Sequence, residues 1–208
     1  MSKESYYNSK TFCYRMSGGR LREILRVLPV TSGRALDVGC GEGFVSKELT
    51  KRGWHVTGVD IIQGADFSFD IERDDWPEAL MAQRFDLVLC SEVIEHVFSP
   101  EDLMAHIRTL MADKGSAIIT TPNVLFWKNR LKMLLGVFRY EERGILDFGH
   151  IRLFTIDTAR DLFQKAGLRI EEESHVYPNL HHRGLDFLGR MFPGLFAYQM
   201  VFRLSKRT

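Results

Sequence analysis

The sequence predicts an α/β fold, one largely parallel sheet flanked by crossover helices, on three observations. Apolar segments bounded by glycine alternate with helical patterns along most of the chain, which is how strand–helix–strand units read in a sequence. A glycine-rich turn, Gly39-Cys40-Gly41-Glu42-Gly43, directly follows the first apolar segment. No repeat, low-complexity tract or linker interrupts the pattern, and 208 residues can bury one sizeable core but not two catalytic domains. A single domain over residues 1–208 is expected.

The elements follow in order. Residues 34–38 read as a buried strand. Residues 42–52 place Phe44, Val45 and Leu49 at helical spacing and stop at Gly53. Residues 55–59 form a second strand ending in Asp60, and residues 66–69 a short third ending in Asp70. Residues 85–90, FDLVLC, are a core strand, and the SEVIEHV turn after them leads to a helix over about 100–111. Residues 115–121 are a fifth strand closed by Pro122. Residues 124–138 are a helix candidate rich in large apolar residues. Thr155 starts another helix that runs to Ala166, with Gly167 as its cap. Residues 168–176 and 196–204 read as two strands, a closing antiparallel pair joined by a polar and helical excursion.

Charge and cysteine content exclude several classes. With 28 basic and 27 acidic residues the net charge is +1, so no global field recruits nucleic acid, and a charged partner must meet a local patch. Cys13, Cys40 and Cys90 form neither a disulfide framework nor a metal cluster. A reducing cytoplasm fits. No apolar run reaches the ~18 residues of a spanning helix, and the N-terminus carries no signal-peptide core. The expectation is a soluble protein that at most touches a membrane surface, as monomer or homodimer.

The glycine turn narrows the chemistry. Glycine lets backbone approach a ligand closely, and the helix N-terminus behind it favours anionic groups. A dinucleotide site prefers G-x-G-x-x-G. Here the spacing is G-x-G-x-G, and Asp37 stands before the first glycine. A carboxylate there repels a diphosphate and suits an amino group, directly or through water. Asp60, at the end of the second strand, can accept both hydroxyls of a ribose. Its bland alternative is a strand-end residue that caps a turn.

The segments LDVGCGEG, VTGVD and FDLVLCSEVIEHV together resemble the class I S-adenosylmethionine-dependent methyltransferases, over about residues 33–121 and more loosely to the C-terminus. The resemblance implies a Rossmann-like seven-stranded sheet in the order 3-2-1-4-5-7-6 with strand 7 antiparallel, and S-adenosylmethionine as cofactor. Carried over by position, Gly39, Cys40 and Gly41 line the methionine moiety with Asp37 near its amino group. Asp60 takes the ribose hydroxyls, Ile61 and Ile62 flank the adenine, and Asp70 with Ile71 addresses its edge. Ser91 and Glu92 close the cofactor from the strand-four side. Only nine residues separate Asp60 from Asp70, where many relatives fit a helix, and Asp66 competes with Asp70 for the adenine role.

Transfer to a hydroxyl also requires removal of a proton, and histidine suits that task. His96 lies beyond the sheet's carboxyl edge, and EVIEHV resembles the segment that carries a histidine in ubiquinone-type and sugar O-methyltransferases. Glu95 beside it either orients the ring or faces solvent. The alternative for His96 is a helix-start residue that holds the next loop. His150, in FGHIRLFT, resembles a segment closing over the substrate pocket in glycan-associated and other small-molecule methyltransferases, and its alternative is a loop anchor. His181 and His182 read as exposed loop residues. No cluster has the spacing of a structural zinc site, and no metal is expected.

Two further segments carry expectations. Residues 123–152 fall where this fold inserts substrate-binding elements. Within them, VLFWKNRLKMLLGVFR combines large apolar residues with four cations, which suits a lid, a membrane surface or an acidic lipid-linked glycan, or simply an amphipathic helix packed on the sheet. Residues 1–32 form an N-terminal helical or lid segment whose Tyr6, Tyr7, Phe12 and Tyr14 either fold over the cofactor entrance or belong to a disordered tail. The function expected is O-methylation of a small molecule such as a sugar or a glycan or lipid precursor. A nicotinamide-dependent oxidoreductase and a non-catalytic cofactor-binding module are the competing readings.

Overall fold

The computed structural model describes residues 18–178, 189 and 191–207. The expectations for Tyr6, Tyr7, Phe12, Cys13, Tyr14, His181 and His182 therefore lie outside the described residues. Seven strands form one sheet: β1 (Arg34–Val38), β2 (His55–Asp60), β3 (Phe67–Ser68), β4 (Phe85–Ser91), β5 (Met111–Pro122), β6 (Leu168–Val176) and β7 (Gln199–Lys206). Their order is β3-β2-β1-β4-β5-β7-β6. β1 pairs in parallel with β2 and β4, β4 pairs in parallel with β5, and β7 runs antiparallel between β5 and β6. Order and direction are those expected.

Alternation along the strands builds two cores. On one face Leu36, Val38, Val88 and Cys90 meet α3 (Glu78–Met81), α4 (Pro100–Leu110) and α6 (Ile156–Lys165) through Leu80, Met104, Ile107 and Phe163. On the other, Ala35, Leu87 and Leu89 meet α1 (Gly18–Arg26) and α2 (Phe44–Thr50) through Ile24, Val45 and Leu49. Helix ends follow local chemistry. Thr155 caps α6 through a reciprocal capping box with Thr158. Gly167, at φ 71°, turns the chain out of that helix into β6.

Several boundaries differ from the expected ones. The helix expected at 124–138 is only α5 (Trp127–Leu134), because Phe126 keeps an extended backbone as its N-cap and Gly136, at φ 74°, turns the chain beyond its end. β5 begins at Met111, which pairs with Phe85, and the pairing shifts before Leu87 resumes opposite Ser116. Residues 196–198 belong to no strand: α7 (Pro193–Phe196) ends there, and β7 begins at Gln199. Between β5 and α6, Val124, Phe126, Ile145 and Leu146 form a third, smaller core with Trp127, Met133 and Tyr198.

Candidate active site

The carboxyl ends of β1, β2 and β4 converge on the glycine turn. Gly39, Gly41 and Gly43 all adopt positive φ, at 74°, 52° and 71°. The amides of Gly39 and Cys40 both donate to the Val59 carbonyl, at 2.8 and 3.1 Å, so the turn is laid across the end of β2. Gly39 has no room for a side chain: a Cβ there would stand 2.4 Å from Val93 Cγ2. A Cβ on Gly41 would meet nothing within 4 Å, so the space over the turn is open.

Two acids face this turn. Asp60 accepts the Gly41 amide on Oδ2 at 2.7 Å and the Ile62 amide on Oδ1 at 3.1 Å. Asp37 is buried and accepts the Ser46 hydroxyl at 2.5 Å. Burial pushes its carboxyl up to about 6, with a further upward push from Asp60, while the Ser46 bond offsets part of the rise. A buried carboxyl beside an open glycine turn is suited to receive an ammonium. The Cys40 thiol is driven up to about 12, chiefly by burial and then by Asp37 and Asp60, so it is an inert wall at neutral pH.

On the adenine side, Ile61, Ile62, Asp70 and Ile71 are all partly exposed at the sheet edge. Asp66 is exposed, and its carboxylate accepts the Gly58 amide at 2.7 Å. Asp70 accepts the Glu72 amide at 3.0 Å and lies 3.7 Å from Arg73 Nε.

The end of β4 carries the most constrained residue. Glu92 is the one non-glycine at positive φ among the described residues, at 57°, a conformation that costs on the order of 1–3 kcal/mol. Its carboxylate accepts the Thr120 hydroxyl at 2.9 Å and the Gln199 amide at 2.7 Å, and pairs with Arg20 Nη1 at 3.0 Å. Ser91 is buried and bonded to the same Thr120 hydroxyl at 3.0 Å. Thus β4, β5, β7 and α1 are tied together at one carboxylate.

Both candidate histidines lie beside this point. His96 ends a short 3-10 turn, Ile94–His96. Its Nδ1 lies 2.9 Å from the Gly149 carbonyl, and His150 Nδ1 lies 2.9 Å from the Ile145 carbonyl. A carbonyl only accepts, so each Nδ1 carries a proton and Nε2 is the basic nitrogen of each ring. The rings stand edge to face with centroids 4.7 Å apart. Glu95 backs His150, not His96. Its Oε2 accepts the Thr121 hydroxyl at 3.1 Å, while Oε1 has no hydrogen-bond partner among the described residues and lies 4.0 Å from His150 Nε2. Burial, then the charge of Glu92, holds its carboxyl well above the usual range. One ligating atom from each of Glu95, His96 and His150 lies within 4.8 Å of the others. Spacing along the chain could not show this grouping, because His150 arrives from the far side of the 123–152 segment.

Comparison with known proteins bears on this geometry. Residues 8–173 match a methyltransferase domain model. The chain belongs to the methyltransferase domain family. This methyltransferase is 32% identical over 162 residues to the ubiquinone biosynthesis O-methyltransferase of Cereibacter sphaeroides, covering 71% of this chain and 64% of the relative. It is 28% identical over 160 residues to that of Aeromonas salmonicida, covering 69% of this chain and 66% of the relative. The match thus spans just under two thirds of the curated relatives. Two solved S-adenosylmethionine-dependent methyltransferases share the fold. The protein from Archaeoglobus fulgidus has a TM-score of 0.59 at 18% identity, covering 90% of this chain and 91% of its own. That from Mesorhizobium loti has a TM-score of 0.62 at 14% identity, covering 90% and 98%.

The residues present fit S-adenosylmethionine: the open space above Gly41, the buried Asp37 carboxyl and Asp60 at the β2 end would provide contact for its amino-acid and ribose parts. Sequence reasoning missed Arg20, Thr120 and Gln199. Arg20 had a legible signal, since it shares the buried stripe of α1 with Ile24, at i and i+4, and the buried Val27 just past the helix end continues it at i+7. Thr120 and Gln199 had none, because both lie on strands read only as core.

Proposed function

We propose that this methyltransferase moves a methyl group from S-adenosylmethionine to an oxygen of a small molecule, with a sugar or a glycan or lipid precursor as the acceptor class. The carrying observation is His96: its Nδ1 proton is committed to the Gly149 carbonyl, which leaves Nε2 as a proton acceptor beyond the end of β4. When bound, the cofactor supplies an electrophilic methyl on a sulfonium. The glycine turn and Asp37 hold its amino end, and Asp60 accepts the ribose hydroxyls. Arg20, buried and paired with Glu92, is the cation that would be available to the amino-acid carboxylate.

His96 would take the acceptor's hydroxyl proton on Nε2 while the sulfonium S–CH3 bond gives way to O–CH3 and S-adenosylhomocysteine is released, and the Gly149 bond fixes the ring for that role. His150 and Asp147 support the same wall: Asp147 accepts the Gly149 amide at 2.8 Å and so fixes the carbonyl that holds His96. The 123–152 segment is the acceptor side of the site.

The test couples binding to turnover. Acceptor pools incubated with isotopically labelled donor are screened by mass spectrometry for a methylated product, and the hit is assayed with His96→Ala. Turnover is expected to fall by roughly 10²–10⁴-fold while S-adenosylhomocysteine still binds. Wild-type turnover in that variant sinks the base assignment, and binding of NADH in place of S-adenosylhomocysteine sinks the cofactor reading.

A further inference from the structure

The segment between β5 and α6 inverts the usual order of an amphipathic helix. Trp127 and Met133 of α5 pack on the small core of Val124, Phe126, Ile145 and Leu146. Leu131, Leu134 and, just past the helix end, Leu135 continue the Trp127 stripe at i+4, i+7 and i+8, an arrangement that would normally face inward. Leu134 is 83% exposed, Leu135 71% and Phe138 50%. Every residue from 134 to 144 is exposed, so this is a protruding ridge and not a groove. A contiguous apolar surface of this kind marks a docking site.

Charge identifies what it docks on. Residues 123–152 carry six Lys and Arg against three acids, whereas the rest of the chain has 22 against 24. The near-neutral protein thus concentrates its positive charge in the 123–152 segment that presents this ridge. Within it, Arg130 donates to the Leu125 and Gly194 carbonyls, Arg152 to the Phe98 carbonyl, and Lys132 pairs with Glu141. Asp147 is buried and Glu141 is taken by Lys132, so Glu142 is the remaining acid to set against the exposed Lys128, Arg139 and Arg143. Exposed leucine and phenylalanine interleaved with cations match the boundary between acyl chains and anionic headgroups. An acidic glycan would use the cations but leave the leucines in water.

We propose that residues 127–143 dock this methyltransferase on an anionic bilayer, with Leu134, Leu135 and Phe138 at the acyl boundary and Lys128, Arg139 and Arg143 against headgroup phosphates. The docking does not depend on which residue acts as base. The experiment is co-sedimentation of the full chain with phosphatidylcholine vesicles, with and without phosphatidylglycerol. Wild type is expected in the pellet only with phosphatidylglycerol, and to be released by salt. Leu134→Glu/Leu135→Glu should abolish pelleting, and Arg139→Ala/Arg143→Ala should weaken it about tenfold or more. Both variants should keep wild-type S-adenosylhomocysteine affinity, which reports an intact fold. Absence of wild-type pelleting, or equal pelleting by wild type and variants, overturns the proposal. A wild-type dimer in solution that Leu134→Glu/Leu135→Glu splits also overturns it, and assigns the ridge to a second copy.

Discussion

Asp60 Oδ2 accepts the backbone amide of Gly41 at 2.7 Å, so the acid proposed to take the ribose hydroxyls also holds the glycine turn proposed to line the methionine end. Removing the carboxylate therefore has two costs. Asp60→Ala should weaken S-adenosylhomocysteine binding by about 10–150-fold in calorimetry, the range expected for loss of hydrogen bonds to a charged group. Asp60→Asn can still accept from Gly41 and should fall between. Equal losses in the two variants would mean that charge, and not the grip on the turn, is what counts.

Asp37 sets a pH dependence with a definite sign. Its folded carboxyl, at about 6, lies above the ordinary 3.8, so the unliganded protein gains stability from this group at low pH and loses it as pH rises through about 6. An ammonium beside it reverses the preference and expels the proton. Affinity for S-adenosylhomocysteine should fall by up to tenfold per unit as pH drops below about 6. Asp37→Asn should melt higher than wild type near neutral pH, bind the cofactor more weakly and lose this pH dependence.

Gly39 and Gly41 should respond differently to alanine. At Gly39 the new Cβ meets Val93 at 2.4 Å and also sits at φ 74°, so thermal unfolding should show a loss of about 1–3 kcal/mol. Val93→Ala added to that variant should recover part of the loss. Gly41→Ala meets no neighbour, so its stability cost should be only the ~1 kcal/mol of left-handed backbone, with cofactor affinity suffering instead.

The Nε2 lone pairs of His96 and His150 can serve a proton or a metal, but not both. Zinc in excess should occupy them together with Glu95, whose oxygen lies within 4.8 Å of both rings' ligating atoms. Turnover should then fall, and chelation should restore it. Inhibition that persists in a His150→Asn variant would place the zinc elsewhere.

Glu173 predicts acid sensitivity at the far edge of the sheet. Burial raises its carboxyl, but the close His175 ring and bonds from Arg160 Nε and Nη2, at 3.0 Å each, more than offset this and hold it below the ordinary range. Stability from this group is present above the unfolded value near 4.5 and is lost as pH falls through the folded one. Arg160 is partly exposed, so Arg160→Ala should cost no more than ~1 kcal/mol at neutral pH, and the variant should show a shallower stability loss on acidification.

Much of this was legible in one dimension because its causes are local. The apolar run before Gly39, the strand-end acids Asp37 and Asp60, and the cap at Gly167 each depend on neighbours within a few residues. The strand order required the resemblance, since periodicity does not say which strands pair. The helix expected at 124–138 was misjudged in length because apolar residues that normally signal a buried face instead stand exposed at Leu134, Leu135 and Phe138.

Sequence by itself pointed to the fold class and the cofactor and singled out Asp37 and Asp60 at the strand ends, because glycine conformation and strand-end position are properties of short segments. Only the tertiary structure decided that Glu92 gathers Arg20, Thr120 and Gln199, that Glu95 backs His150, and that His150 meets His96. Those contacts join residues up to 107 positions apart, as Glu92 and Gln199 are, and chain closure over such distances leaves no periodic trace in the sequence that makes it.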